Sequence, residues 1–326
     1  MTDSLLQVRN LRTWFPIRRG VIPRTVGHVR AVDDVSFEVG AREVLGLAGE
    51  SGSGKTTIGR TLLRLVEPTS GEIRFAGRDV VGLDRGALRR FRREAQIVFQ
   101  DPYGALNPRK SIARILSEPA IVQGERRSAA QHRERAGELL DLVSLPRAFL
   151  DRLPHELSGG QRQRIVIARA LAVGPKFIVA DEPVSALDVS IQAQIIDLLN
   201  ELKERLALSM LFISHDLAVM EYLSDRIAVV YLGRIMEIGP ASVICNAPHH
   251  PYTRALLSAV PGRRRQAGGQ RIVLKGDLPN PADPPSGCVF RTRCPWALPA
   301  CAETVPPLRP QAGRAGHLSG CIRDDI

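Results

Sequence analysis

From Leu5 to Gly82 the apolar positions come in short runs, among them Val32 to Val39, Glu43 to Leu47 and Ile73 to Phe75, punctuated by Gly71, Gly77 and Gly82. Short runs closed by glycine predict strands and turns, so the chain opens β-rich. The pattern then changes. Between Gln100 and Leu157 charged residues and alanines interleave with apolar ones at helical spacing, as in Arg133 to Val143, until a turn at Leu153-Pro154-His155. This stretch reads as a helical subdomain at about 101–160, inserted into a core.

After Leu157 the pattern predicts a helix from about Gln161 to Ala172, a strand Phe177 to Ala180, a helix from about Ile191 to Leu206 and a strand Met210 to Ser214. Alternation of this kind implies a mostly parallel sheet with crossover helices. Beyond Gly239 proline, glycine, arginine and cysteine dominate, and Pro261 to Gln270 has the composition of a basic linker. The expected division is a domain over 1–240 and an extension over 241–326, the latter too poor in apolar residues to hold together by burial alone.

With 326 residues, 44% of them hydrophobic, the chain can bury a sizeable core. No apolar run approaches the roughly 20 residues that span a bilayer, and Met1-Thr2-Asp3-Ser4 does not begin a signal peptide, so a cytosolic location is expected. A net charge of +11 favours anionic partners: nucleotide phosphates, nucleic acid or an anionic membrane face.

Gly49-Glu50-Ser51-Gly52-Ser53-Gly54-Lys55-Thr56 fits the G-x-x-x-x-G-K-[ST] pattern, after the apolar strand Val44 to Leu47 and before the helix-like Thr57 to Val66. Glycines let backbone N–H groups wrap a phosphate chain, the helix N-terminus adds positive potential, Lys55 reaches the terminal phosphates of ATP, and Thr56 is placed to ligate Mg²⁺. A glycine-rich loop alone can be a tight turn; the Lys-Thr pair and both flanks argue against that here. Phe177 to Ala180 then carries Asp181 and Glu182 to a strand end. There Asp181 would hold the magnesium shell and Glu182 would polarise the attacking water. Such a pair can also merely cap a helix, a reading weakened by the strand and the phosphate loop before it.

Leu157-Ser158-Gly159-Gly160-Gln161, ahead of a helix and about 20 residues before the acidic pair, resembles the signature of ATP-binding cassette proteins. The resemblance implies a P-loop NTPase fold of the ABC type: a RecA-like core, a β-rich subdomain and an inserted helical subdomain, here with a small cysteine-containing C-terminal extension. It also implies that residues 158–161 hold the γ-phosphate of nucleotide bound to a second cassette, through N–H groups at a helix N-terminus. Family roles fall on Gln100, sensing the γ-phosphate and Mg²⁺; on Asp188 in Ser185-Ala186-Leu187-Asp188, contacting the opposing cassette; and on His215, holding the γ-phosphate. Thr57 completes the phosphate loop, and Phe15, rather than Trp14, is the expected adenine-stacking aromatic. Pro16 to Val29 reads as an insertion.

Several passages narrow the resemblance to ATPase subunits of oligopeptide and dipeptide importers: Phe99 to Tyr103 with Leu106-Asn107-Pro108-Arg109, Val189 to Gln194, His250-Pro251-Tyr252-Thr253, Gly287 to Phe290 and Arg293-Cys294-Pro295. In that family two related ATPases, expected as a heterodimer, pair beneath two membrane-spanning permease subunits at the cytoplasmic face, and an external binding protein delivers the solute. Peptides are the expected cargo, with nickel or sugars as alternatives. A cassette acting on nucleic acid in repair or translation belongs to a different class. The paired cassettes, coiled coils or C-x-x-C knuckles usual there are missing from this sequence, so no nucleic-acid partner is expected.

Cys288, Cys294, Cys301 and Cys321 follow the spacing C-x5-C-x6-C-x19-C, which is neither a zinc knuckle nor a ferredoxin run. Four thiols nevertheless offer complete tetrahedral ligation and a way to fix a tail without a core. The resemblance implies a [4Fe-4S] cluster, ahead of zinc and of free thiols. Because the phosphate loop is placed in a different part of the chain, ATP binding is expected to be independent of the tail. Cys245 reads as an ordinary buried residue, and His317 as packing near the cluster.

Overall fold

The computed structural model describes residues 4–260 and 272–325. The N-terminal part holds β1 (Ser4–Arg19), β2 (Arg24–Gly40), β3 (Val44–Ala48), α1 (Lys55–Leu62), β4 (Ser70–Phe75) and β5 (Arg78–Asp79). Next come α2 (Arg85–Glu94), β6 (Ala95–Val98), α3 (Pro102–Ala105), α4 (Ile112–Val122), α5 (Ala129–Leu142) and α6 (Gly159–Leu171). β7 (Phe177–Asp181), α7 (Val189–Leu206), β8 (Ser209–Ile213), α8 (Leu217–Leu223), β9 (Arg226–Tyr231) and β10 (Arg234–Pro240) follow. The chain ends with α9 (Ala241–Asn246), α10 (Pro251–Ser258), β11 (Arg309–Pro310) and β12 (Leu318–Ser319). No helix among the described residues is long and apolar enough to cross a membrane.

Two compact units form, and they do not follow chain order. The first gathers Met1–Val39, Val44–Val81 and Ile213–Ile326; the second holds Gly40–Glu43 and Gly82–Phe212. In the first, β2, β1, β4 and β5 make a four-stranded sheet in that order. Residues 16–29, read from sequence as an insertion, are the outer part of a long β1–β2 hairpin, with Val21 and Ile22 exposed at its tip. A second run of strands orders β11-β12-β10-β9-β3. β3 and β9 pair in parallel, Leu45 opposite Arg226, and both are wholly buried along most of their length, which accounts for unbroken apolar runs such as Ile227 to Tyr231.

The tail takes part in this sheet. β12 pairs antiparallel with β10, Glu237 opposite Ser319, and β11 covers β12 with Pro310 on the edge strand, where its missing N–H costs nothing. Apolar anchoring comes from Phe290, fully buried, with its ring 5.2 Å from Tyr231 and 5.3 Å from Tyr252. A few aromatic rings set into the neighbouring sheet thus give residues 272–325 a core that their own composition lacks.

In the second unit β8, β7 and β6 lie side by side, β6 and β7 parallel with Ile97 opposite Val179. Helices α4, α5 and α6 pack together. α5 starts in a capping box: the Ser128 Oγ accepts the Gln131 N–H and the Gln131 side chain accepts the Ser128 N–H.

Truncating Phe290 to alanine is expected to destabilise the first unit by about 3–5 kcal/mol, the range for a fully buried phenylalanine. A urea titration that separates the two units, by tail or core fluorescence probes, reads the loss.

Candidate functional site

Each unit carries some of the candidate residues. In the first, β3 ends at Ala48 and the loop 49–54 turns into α1. Gly54 has φ of 103°, and a Cβ there would lie 2.2 Å from the Ala31 carbonyl oxygen, so only glycine lets the loop close against that backbone. Ser53 and Lys55 are buried, while Ser51 and Gly52 face outward and Thr56 and Thr57 are half-buried. The Lys55 ammonium donates to the carbonyl oxygens of Gly49 at 2.9 Å and Glu50 at 2.8 Å, and lies 3.4 Å from Ser53 Oγ. A cation already held by loop carbonyls is aimed into the loop before any phosphate arrives. His215, just after β8, is exposed, and the Asp216 carboxylate beside it caps α8 by accepting the N–H groups of Ala218 and Val219.

Phe15 stands 40% exposed on β1. Trp14 beside it is occupied, its ring 6.0 Å from His28 and 5.0 Å beneath the Arg30 guanidinium.

The phosphate loop does not stand apart from the tail. The Glu50 N–H donates to Tyr252 Oη at 2.8 Å, and the Glu50 carboxylate pairs with Arg293 at 2.8 Å. Sequence reading singled out 250–253 and 293–295 only for their likeness to a family and gave them no role in nucleotide binding. Nothing in local spacing relates Glu50 to a tyrosine 202 positions onward.

Behind Tyr252 lies a buried polar cluster. Glu237 on β10 has no exposed surface; its carboxylate accepts the N–H groups of His249 at 2.6 Å and His250 at 3.1 Å and pairs with His317 Nε2 at 2.7 Å. Burial alone would raise the Glu237 carboxyl, but these hydrogen bonds hold it below its ordinary value. Burial pushes His249 down, and His250, fully enclosed, falls to about 4. His250 therefore stays neutral, and its Nδ1 accepts the Tyr252 N–H at the start of α10, with Pro251 at the first helical position.

In the second unit β7 brings Asp181, buried, to its end, and Glu182 follows with φ of 46°, a left-handed backbone unusual for glutamate. Gln100, exposed two residues past β6, donates from Nε2 to Glu182 Oε2 at 3.0 Å and lies 3.5 Å from Ser185 Oγ. The buried Asp181 carboxylate and the Gln100 side-chain oxygen are hard oxygen donors of the kind Mg²⁺ takes. Asp188, exposed, precedes α7, and Gln192 steadies the turn before it by donating to the carbonyls of Val184 and Leu187. Ser158 and Gln161 form a reciprocal capping box at α6, with Ser158 Oγ 3.3 Å from the Gln161 N and Gln161 Oε1 3.0 Å from the Ser158 N. Between them, a Cβ on Gly160 would lie 2.6 Å from Ile191 Cγ2, so glycine there lets α6 begin against α7.

The four tail cysteines divide by burial: Cys288 and Cys301 are buried, Cys294 and Cys321 half-buried. Burial raises the Cys288 and Cys321 thiols and lifts Cys294 to about 11, and the charge of the other three thiols is felt at Cys294. Four soft donors suit iron-sulfur or zinc chemistry. As placed they do not fit it: no group of three or more His, Cys, Asp or Glu side chains among the described residues is disposed to hold a metal ion. His317 is taken by Glu237 and not by the thiols, while Cys245 is buried in α9.

Comparisons with known proteins give the family. The "ABC transporter" family model matches residues 32–185, and the model for the "Oligopeptide/dipeptide transporter, C-terminal region" matches 236–301. A Brucella ovis chain named for peptide import and ATP binding is 55% identical over the whole of both chains. The oligopeptide transport ATP-binding protein AppF of Bacillus subtilis is 50% identical, covering 98% of this chain and 97% of its own. Among solved structures, the dimeric post-hydrolysis state of the ATP-binding cassette MJ0796 bound to ADP and Pi is 29% identical with a TM-score of 0.64, covering 72% of this chain and 98% of that one. The structure of cbiO1 from Clostridium perfringens, part of the ABC transporter complex cbiONQ, is 26% identical with the same TM-score, over 76% of this chain and 92% of that one. The chain belongs to the ATP-binding proteins of the ABC transporters, in their oligopeptide/dipeptide branch. It is an ATPase with the P-loop cassette fold, and its nucleotide is ATP with Mg²⁺.

The buried histidines fix a pH dependence. With His250 held near 4 against an ordinary 6.5, the unfolded chain binds a proton that the folded one refuses, so stability is lost as pH falls from about 6.5 toward 4. His250→Asn keeps a capping acceptor that does not titrate; melting temperatures followed from pH 7 to pH 4 are expected to fall less steeply, by about one proton in the slope.

Proposed function

We propose that this chain is the ATP-hydrolysing subunit that powers import of oligopeptides or dipeptides through an ABC transporter. The observation that carries the reading is the match to the oligopeptide/dipeptide C-terminal region, over 236–301, downstream of the cassette match over 32–185. Its partners are a related ATPase, two permease subunits and, through them, an external solute-binding protein. It would act at the cytoplasmic face of the membrane as a peripheral subunit.

The roles fall in two sets. In the first unit, the N–H groups of Gly49 to Thr57 and the ammonium of Lys55 bind the phosphates, Phe15 lies against the adenine, and His215 holds the γ-phosphate. Thr56 of the loop would ligate magnesium; in the second unit Asp181 and Gln100 would serve the same ion, which when bound neutralises charge on the phosphate oxygens. Glu182 accepts a hydrogen bond from the attacking water and turns its lone pair toward the γ-phosphorus; ATP and water become ADP and phosphate, the water's proton leaving with the product phosphate. The contact from Gln100 supports this role, because it orients the Glu182 carboxylate from a residue placed to sense the phosphate. Ser158, Gly159, Gly160 and Gln161 would serve nucleotide held by the opposing cassette, with Asp188 at the same interface. Two cassettes must then close before either turns over.

Glu182→Gln is expected to leave ATP affinity within a few-fold of wild type while slowing steady-state phosphate release by about 10²–10⁴-fold in the assembled transporter. Turnover within a few-fold of wild type would reassign the base.

The thiols carry a finer reading, an iron-sulfur cluster with zinc as the alternative; its support is the donor chemistry and the mutual charge coupling of the thiols. Ligation would require the raised thiols to deprotonate and close around the metal. Anaerobically purified protein should contain iron and acid-labile sulfide, lost in Cys294→Ser. Stoichiometric zinc without sulfide would select zinc, and four freely alkylated thiols in the metal-free compact protein would exclude both.

A further inference from the structure

Glu50 is the second residue of the phosphate loop, and the peptide groups on both sides of it are engaged. Its N–H donates to Tyr252 Oη at 2.8 Å, its carbonyl accepts from Lys55 at 2.8 Å, and its carboxylate holds Arg293 at 2.8 Å. Tyr252 is fully buried, its ring 4.8 Å from Tyr231 and 5.3 Å from Phe290. The hydroxyl therefore has one fixed place. Arg293 is nearly buried as well, with 9% of its side chain exposed, and its guanidinium lies 3.5 Å from Tyr231 Oη. Close by, Leu278 is the nearest atom that a side chain on Gly52 would meet, at 3.5 Å.

We infer that Tyr252 and Arg293 are positioning residues for nucleotide binding: Tyr252 fixes the peptide that joins Gly49 to Glu50, whose carbonyl, that of Gly49, holds the Lys55 ammonium at 2.9 Å, and Arg293 anchors the Glu50 side chain so that the next carbonyl, that of Glu50, holds the same ammonium at the phosphate position. The inference rests on reading 49–56 as the phosphate cradle. A loop peptide free to rotate would turn its carbonyl away from Lys55, and the cost of reordering it would be drawn from the affinity for ATP. Burial keeps Tyr252 a neutral phenol, able to accept the N–H throughout the physiological range. The C-terminal region is thereby a working part of the nucleotide site, and the tail that carries the cysteines reaches the loop through the residue preceding Cys294.

The test is equilibrium binding of a fluorescent ATP analogue to the full-length chain, with melting temperature measured alongside. Tyr252→Phe keeps the ring and removes the acceptor; it is expected to weaken nucleotide binding by roughly three- to tenfold, the worth of one hydrogen bond. Arg293→Gln should weaken binding similarly, Arg293→Lys should restore part of it, and Arg293→Gln combined with Glu50→Gln should cost no more than either change alone. If Arg293→Gln does not fold, Glu50→Gln removes the same bridge from the loop side and carries the test. Wild-type affinity in Tyr252→Phe and Glu50→Gln, whatever happens to the melting temperature, overturns the inference and leaves these contacts as packing. Lys55→Ala is the control: if it too binds normally, the cradle reading itself fails, whereas loss in Lys55→Ala with normal binding in Tyr252→Phe refutes only the positioning role.

Discussion

An ionised carboxylate with no exposed surface is tolerable only where hydrogen bonds replace its water, and Glu237 is such a group. The donors that satisfy it come from the turn before α10 and from the tail, at His249, His250 and His317. Meeting that one requirement brings α10 and the strand bearing His317's neighbours against β10. It sets Tyr252, two residues past His250, into the aromatic group with Tyr231 and Phe290. From that group the tyrosine hydroxyl and the Arg293 guanidinium reach Glu50. A single desolvated charge on a sheet strand therefore organises the C-terminal region and, one step on, the backbone of the phosphate loop.

The second unit solves a different problem. The residues proposed to act there sit at the ends of elements, where strands stop and side chains become available: Asp181 at the end of β7 with Glu182 after it, Gln100 after β6, Asp188 before α7, Ser158 before α6. Glu182 accepts a left-handed backbone to point where Gln100 can hold it. Conformational strain of this kind persists because the surrounding turn is fixed by Gln192 and Ser185 through their own hydrogen bonds.

Elements with strong local signals were legible from sequence. β7 was read at Phe177 to Ala180 and found at Phe177–Asp181; α7 was read from Ile191 to Leu206 and found at Val189–Leu206. The cassette fold and the family followed from motifs whose spacing is itself local. What stayed hidden depends on partners distant in the chain. That residues 16–29 form a hairpin was hidden because Val21 and Ile22 bury nothing at its tip, so no alternation marks the strands. The tail looked coreless because its few apolar residues, Phe290 above all, find their partners on β9 and α10. His317 looked like a neighbour of the thiols, and only the fold shows it committed to Glu237.

The start of α6 carries a consequence of its own. Ser158 and Gln161 satisfy each other's backbone N–H groups, so the exposed end of that helix has two of its donors met within the resting chain. An arriving anion must compete with this internal arrangement, and only the difference between the two sets of hydrogen bonds is available to hold it. Under the proposed role, attachment at this point would therefore be weak by construction and easily undone, a property suited to a joint that has to open once in every cycle.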